Sequence, residues 1–227
     1  MDNLIFNRVE EKYFLNENQR NEFFNEIKQY IEKDQYYKSN ILNIYFDNNN
    51  NELIIRSGDK PIYKDKVRLR SYDIPSLEDY VFLEVKTKFE GITNKRRIKI
   101  KLSDFYNYME NGVTNDDQIM KEIDYLFKYY NLKPSHFVAY NRLSYKGIEN
   151  NGLRITLDMN LRSRTDNLRL DGGDYGEEYF DDDTYIMEIK TLNSMPLWLT
   201  STLSKLKIYP ISFSKVGEIY KKERCIC

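Results

Sequence analysis

Six short segments of the chain alternate apolar and charged residues with a period of two, and most of the charged positions are Lys or Arg. In Val67-Arg68-Leu69-Arg70 one face is apolar and the other carries two guanidinium groups; Leu83-Glu84-Val85-Lys86 repeats the pattern. Lys95, Arg97, Lys99 and Lys101 share a face against Ile98 and Ile100. Leu153, Ile155 and Leu157 oppose Arg154, Thr156 and Asp158, while Met187 and Ile189 oppose Glu188 and Lys190. Near the start, Arg8, Glu10 and Lys12 fall on one side of Asn7 to Leu15. A strand turns every second side chain to the same face, so these segments predict a sheet with one apolar and one charged surface. Ordinary half-buried antiparallel strands also alternate. Their wet faces mix charge signs, however, because like charges side by side across strands repel, and here the faces are dominated by cations.

The total charge conceals this arrangement. The 227 residues hold 35 Lys and Arg against 36 Asp and Glu, a formal net charge of −1, which excludes a generic basic coat for nucleic acid. Between Lys64 and Lys101, 11 basic residues outnumber 6 acidic ones, a net of +5, whereas Asp171 to Asp183 holds 7 acids and no base. That acidic stretch, with Gly172, Gly173 and Gly176, reads as a mobile surface loop. The chain is 41% hydrophobic, enough to bury a core, and reads as a single domain over residues 1–227. Its start lacks a basic region followed by a long apolar stretch, and no apolar run approaches the ~18 residues of a membrane span. A cytoplasmic protein without direct membrane insertion is expected. Cys225 and Cys227 would close almost no loop and are read as incidental.

Between the strands, amphipathic helices are expected. One is capped by Asn16 and runs from Glu17 to about Asp34, with Phe23, Phe24, Ile27, Tyr30 and Ile31 at helical spacing. A second starts near Thr114 to Asp117 and is stopped by Pro134, and a third runs from Ser194, with Pro196 in its first turn, toward Pro210. Shorter helical pieces fall around Ser103 to Glu110 and Lys215 to Arg224.

Strands that each present Arg or Lys at alternate positions line a surface suited to a polyanion, because arginine offers forked donors to phosphate oxygens and lysine a point charge. Closing the sheet into a barrel would turn that face inward. The acids on the same faces, Glu10, Glu84, Asp158 and Glu188, stand where oxygen ligands for Mg²⁺ or Mn²⁺ would be needed. Competing chemistries lack their residues. No phosphate-binding P-loop or dinucleotide glycine motif occurs, the single His136 has no evident triad, no Cys/His zinc spacing exists, and no aromatic-basic RNA motif is present.

Arg8-Val9-Glu10-Glu11-Lys12-Tyr13, Val67 to Tyr72, Phe82 to Lys86, Asn94 to Arg97, Tyr140-Asn141-Arg142-Leu143-Ser144-Tyr145, Leu153 to Asp158, Met187 to Thr191 and Phe213-Ser214-Lys215 follow one another in a fixed order. The series resembles VTC domains, the polyphosphate polymerase domains of the vacuolar transporter chaperone type, within the triphosphate tunnel metalloenzyme superfamily. The resemblance departs from the usual pattern at Val216 and Asn141. It implies an α+β, mainly antiparallel fold: an eight-stranded closed tunnel with a basic lumen and peripheral helices. It further implies phosphate contacts from Lys12, Arg68, Arg70, Lys86, Lys95, Arg97, Arg142, Arg154 and Lys190, with Arg8 in the variant entry signature. Lys215, Arg142, Arg154 and Lys12 would act on the reacting phosphate, and Glu188 matches the metal-binding glutamate; the strand faces add Glu10 and Glu84 as further oxygen ligands for Mn²⁺ or Mg²⁺. The implied activity is transfer of the γ-phosphate of ATP to inorganic polyphosphate, with a separate membrane protein as a partner and no nucleic acid. An inorganic triphosphatase or nucleoside triphosphatase on the same tunnel, and a non-catalytic polyphosphate-binding module, are the alternatives.

Overall fold

The computed structural model describes residues 8–58, 62–90, 92–112, 117–149, 152–180, 183–192 and 194–225, with the Arg8 side chain outside the description. Thr114, Asp181, Asp182 and Cys227 therefore lie outside the described residues. In chain order the elements are β1 (Arg8–Leu15), α1 (Glu17–Ile27), β2 (Ile31–Asp47), α2 (Glu52–Gly58), β3 (Tyr63–Tyr72), β4 (Tyr80–Phe89), β5 (Ile92–Lys101), α3 (Leu102–Asn111), α4 (Gln118–Tyr130), β6 (Lys133–Gly147), β7 (Arg154–Arg164), β8 (Glu177–Glu178), β9 (Tyr185–Leu192), α5 (Leu197–Lys205), β10 (Pro210–Ile211) and α6 (Lys215–Cys225).

The chain forms two compact units, Met1–Ser39 with Tyr140–Leu161 and Phe180–Phe213, and Asn40–Ala139 with Arg162–Tyr179 and Ser214–Cys227. In the first, β1 pairs with β9 and β10, and β9 with β7, all antiparallel. Tyr13, Leu15, Ile155, Leu157, Met187 and Ile189 pack with Phe23 and Ile27 of α1 and Leu199 and Leu203 of α5. The Asn16 side chain accepts from the Gln19 amide, and Gln19 returns the bond to the Asn16 amide, so a capping box fixes where α1 starts. In the second unit β3 pairs with β2 and β4, and β4 with β5. Leu42, Ile44, Phe46, Val67, Leu69, Leu83 and Val85 bury against Leu102 and Phe105 of α3 and Met120, Ile123 and Phe127 of α4. Each such side chain stabilises the fold by about 1.5–3 kcal/mol. Phe46 lies against the rings of Phe105 and Phe127, and its truncation to Ala would cost about 3–5 kcal/mol.

The hydrogen-bonded strand order is β10-β1-β9-β7-β6-β2-β3-β4-β5, with β8 on β7. This corrects the expected closed eight-stranded tunnel: among the described residues the sheet has ten strands, and the paired path ends at β10 and β5 without closing. Both ends resist further pairing. β10 is two residues long, and β5 exposes Lys95, Arg96, Arg97 and Lys99, the charged kind of edge that discourages strand addition.

α1 stops at Ile27 rather than continuing to Asp34, and Ile31–Asp47 is a 17-residue strand. Tyr36, Tyr37, Ile41, Ile44, Tyr45 and Phe46 favour extended backbone, and the intervening turn holds no Gly or Pro to announce it. From Asp171 to Glu178 the acidic stretch is tied to the second unit instead of hanging loose. Asp174 pairs with Arg162 at 2.8 Å and Asp171 with Arg169 at 2.8 Å, and Glu177 and Glu178 join the ladder of β7. Gly176 is needed there, since a Cβ would stand 2.6 Å from the Ser163 carbonyl oxygen.

Candidate functional site

The second unit carries a ladder of cations across β3, β4 and β5. Register places Arg68 opposite Glu84 and Glu84 opposite Arg97, and in the next row Lys66 opposite Lys86 and Lys86 opposite Lys95. Glu84 is 2% exposed. Arg68 donates from Nε to its Oε2 at 2.8 Å. Its Oε1 accepts no well-angled hydrogen bond, and its partner is the Lys95 ammonium 2.6 Å away. Burial pushes the Glu84 carboxyl up, but Arg68, Arg70 and Lys95 outweigh it and hold the group at about 2, so Glu84 is a carboxylate at every ordinary pH. On β2, Asn43 and Tyr45 sit opposite Arg70 and Arg68. Arg70 Nε donates to Asn43 Oδ1 at 2.8 Å, and Arg68 Nη1 to the Tyr45 hydroxyl at 3.3 Å. Burial raises the Tyr45 phenol and the cations Arg68, Arg70 and Lys66 overcome it, bringing it down to about 8.

A second ladder lies in the first unit on β1, β9 and β7. One row is Lys12, Glu188 and Thr156, and the next is Glu10, Lys190 and Arg154. Lys190 Nζ lies 2.8 Å from Glu188 and 3.5 Å from Glu10. Burial opposes ionisation of Glu188, and Lys190, Arg142 and Lys12 override it, so its carboxyl falls to about 2. Arg142 on β6 is clamped by Asp158 through Nε at 2.6 Å and Nη2 at 2.8 Å; Asp158 is 1% exposed. The Asp158 carboxylate therefore orients a guanidinium and is not offered as a metal ligand. Lys12 Nζ donates to the Phe213 carbonyl at 2.8 Å.

The structure thus gathers Arg68, Arg70, Lys86, Lys95 and Arg97 on one ladder, and Lys12, Glu10, Glu188, Lys190 and Arg142 on another. Arg154 stands in register with Lys190, but its guanidinium is half exposed and pairs with Asp34 at 3.1 Å. Arg97 is exposed and lies over the Phe82 ring. Lys215 is half-buried at the start of α6. Arg8 is paired through its backbone to Leu192. Four participants escaped the sequence reading: Lys66, Asn43, Tyr45 and Asp34. Lys66 continues the period of Arg68 and Arg70 and was legible there; the other three belong to β2, whose strand character was hidden by the helical spacing before it.

Glu84 does not fit a metal, because two cations already occupy its oxygens. Glu188 and Glu10 fit better: two hard carboxylates share one lysine, and the buried Thr156 hydroxyl in the Glu188 row has no hydrogen-bond partner. Mg²⁺ and Mn²⁺ are held by such small oxygen sets when substrate phosphates complete the shell. Among the described residues no group of three or more His, Cys, Asp or Glu converges, and no helix is long and apolar enough to cross a membrane.

A sequence model of the VTC domain matches residues 7–222. No curated protein sequence matches the chain. Among solved structures, a Vibrio parahaemolyticus protein provisionally assigned as an adenylate cyclase aligns with a TM-score of 0.50 at 14% identity, covering 92% of this chain and 94% of its own. A Pyrococcus horikoshii OT3 protein aligns at 0.47 and 17% identity, covering 95% and 99%. The first of these likenesses supports the antiparallel-sheet-dominated α+β fold.

Proposed function

The chain belongs to the VTC domain family, and on that premise we propose that it is a metal-dependent polyphosphate polymerase, moving the γ-phosphate of ATP onto the end of a polyphosphate chain. The observation that carries this reading is the charge imbalance of the β3–β5 face. Lys66, Arg68, Arg70, Lys86, Lys95, Arg97 and Lys99 share it, in register, with Glu84 as its carboxylate. Such a face repels itself in isolation and is relieved by a polyanion.

In the transfer, the bond between the γ-phosphorus and the oxygen leaving with ADP breaks as one forms to a terminal oxygen of the acceptor. That oxygen is already anionic at pH 7, so it needs orientation more than a base. Arg68 and Arg70, fixed by Glu84 and Asn43, present pre-aimed forks to phosphate oxygens. Lys12, Lys190 and Arg142 spread the charge of the transferring group, and the Asp158 clamp removes the cost of orienting Arg142. Lys215 neutralises charge as ADP departs. Glu188 and Glu10 would hold Mn²⁺ or Mg²⁺, which supplies neutralisation of phosphate oxygens.

The test is incubation of the purified chain with ATP and Mn²⁺, with and without a chelator, and resolution of products on a polyacrylamide gel. Acid-labile chains that a polyphosphate-specific phosphatase digests are the expected product, absent when metal is chelated. Orthophosphate with no chain would replace polymerase by hydrolase; tight tripolyphosphate binding without turnover would make the chain a binding module.

A further inference from the structure

Lys66 stands where stability argues against a lysine. Across the sheet it faces Lys86, which faces Lys95, and like charges directly opposite one another on a sheet destabilise it. Its ammonium also reaches the N-terminal end of α6, the positive end of the helix dipole, where a cation is unfavourable. There Lys66 Nζ donates to Ser214 Oγ at 2.9 Å, and the same oxygen accepts from the Gly217 amide at 3.3 Å. Ser214 also accepts the Glu218 amide through its carbonyl at 2.8 Å. The hydroxyl is the cap of α6, and Lys66 is what aims it. Gly217 leaves little slack, since a Cβ there would lie 3.2 Å from Ser214 Oγ. The rest of α6 is fixed independently: His136 Nε2 lies 3.0 Å from Glu223, and Lys222 pairs with Glu177.

We propose that Lys66 is a positioning residue, which through the Ser214 hydroxyl sets the first turn of α6 and thereby the placement of Lys215. The consequence for turnover rests on the polymerase reading; the placement of Lys215 does not. If the lysine served only the fold, replacing it would weaken the protein. Because Lys86 and Lys95 follow it in the same row, Lys66→Met should instead leave the melting temperature unchanged or raised.

The experiment compares the full-length wild type with Lys66→Met, Lys66→Arg, Ser214→Ala and the Lys66→Met/Ser214→Ala pair. One readout is the rate at which limited acetylation modifies Lys215, followed by mass spectrometry, and it requires no activity. Lys66→Met and Ser214→Ala should each shift that rate by about tenfold, the equivalent of one charge-assisted hydrogen bond. The pair should shift it no further, and Lys66→Arg should restore much of it. The second readout is chain synthesis, where kcat should fall by a similar factor in both single variants, with KM for ATP little changed in Ser214→Ala. Shifted acetylation in the two single variants, with a wild type that makes no chain, would uphold the positioning and sink the polymerase. A raised KM in Lys66→Met alone, with Lys215 reactivity and Ser214→Ala like wild type, would overturn the proposal and make Lys66 a plain phosphate contact. A drop in melting temperature with unchanged Lys215 reactivity would overturn it in favour of a structural lysine.

Discussion

Glu84 and Glu188 are both buried glutamates on the charged face of a sheet, and both are held ionised near 2, yet their surroundings differ. Among the described residues of β3, β4 and β5, the carboxylate of Glu84 shares three rows with seven cations, Lys66, Arg68, Arg70, Lys86, Lys95, Arg97 and Lys99, and both its oxygens are occupied by Arg68 and Lys95. Around Glu188 the charges nearly balance: Lys12, Lys190, Arg142 and Arg154 against Glu10, Glu188 and Asp158. The first glutamate is an internal counterion for a surface that wants an external one. The second stands beside another carboxylate and an unpartnered hydroxyl, the company of an oxygen-ligand set. Comparable burial and a comparable fall in pKa therefore do not imply equal work.

The sharpest way to break this contrast is to neutralise each glutamate without changing its shape. Glu188→Gln should reduce chain synthesis by about a thousandfold, roughly 4 kcal/mol of transition-state stabilisation, while tripolyphosphate affinity by calorimetry stays within a few-fold of wild type. Comparable losses of affinity and turnover would mean that Glu188 only maintains the fold. Glu84→Gln should act the other way. It strands Arg68 and Lys95 beside a neutral amide, and loss of one partner from a buried pair costs about 3–5 kcal/mol. Because those cations are 22% and 42% exposed, the lower end applies, a fall of about 6–12 °C in melting temperature for a chain of this size. Added tripolyphosphate should recover part of it by linkage; a variant as stable as wild type would show that Glu84 is not the counterion.

Acid should expose the same asymmetry at smaller amplitude. Both carboxyls ionise near 2 in the fold against an ordinary 4.5. A depressed folded value means stability present above about 4.5 and lost as pH falls toward 2, about 3 kcal/mol for each group. Urea unfolding between pH 5 and 3 should therefore be steeply pH-dependent in wild type, and each Glu→Gln variant should flatten it by its own share. An unchanged slope in Glu84→Gln would place the acid sensitivity elsewhere.

How much of this contrast was readable in advance follows from the range of the interactions. Alternation within Val67–Arg70 or Met187–Lys190 is local, so the charged faces, and most of the residues on them, stood out. Register is not local. That Glu84 would meet Arg68 and Lys95, and so be closed to metal, depends on how two hairpins pair. The Asp158 carboxylate, read as a candidate oxygen ligand, turns out to clamp Arg142 because β6 and β7 bring them together. The contacts of Lys12 with Phe213 and of Lys66 with Ser214 bridge 201 and 148 positions, beyond any motif. β2 was hidden for a different reason: Phe23, Ile27, Tyr30 and Ile31 continue a helical spacing across the turn, so Asn43 and Tyr45 were not placed on a strand at all.

Tyr45 gives the smallest expected effect and tests whether the excess positive charge around Glu84 is real in the folded protein. Its phenol, ordinarily near 10, is drawn down to about 8 against the pull of burial by Arg68, Arg70 and Lys66. The folded state then releases the proton before the unfolded state does, so stability should rise as pH goes from about 8 to about 10 and level off above that. The full rise is about 3 kcal/mol. Tyr45→Phe cannot ionise and should lack the rise, while at pH 7 it loses only the contact with Arg68, on the order of 1 kcal/mol. Comparing urea midpoints of the two proteins at pH 7 and pH 9.5 isolates the phenol, since every other titrating group is shared. Parallel curves would mean that the seven cations are already neutralised by solvent ions; divergence with pH would show that the face draws even a phenol into the anionic form.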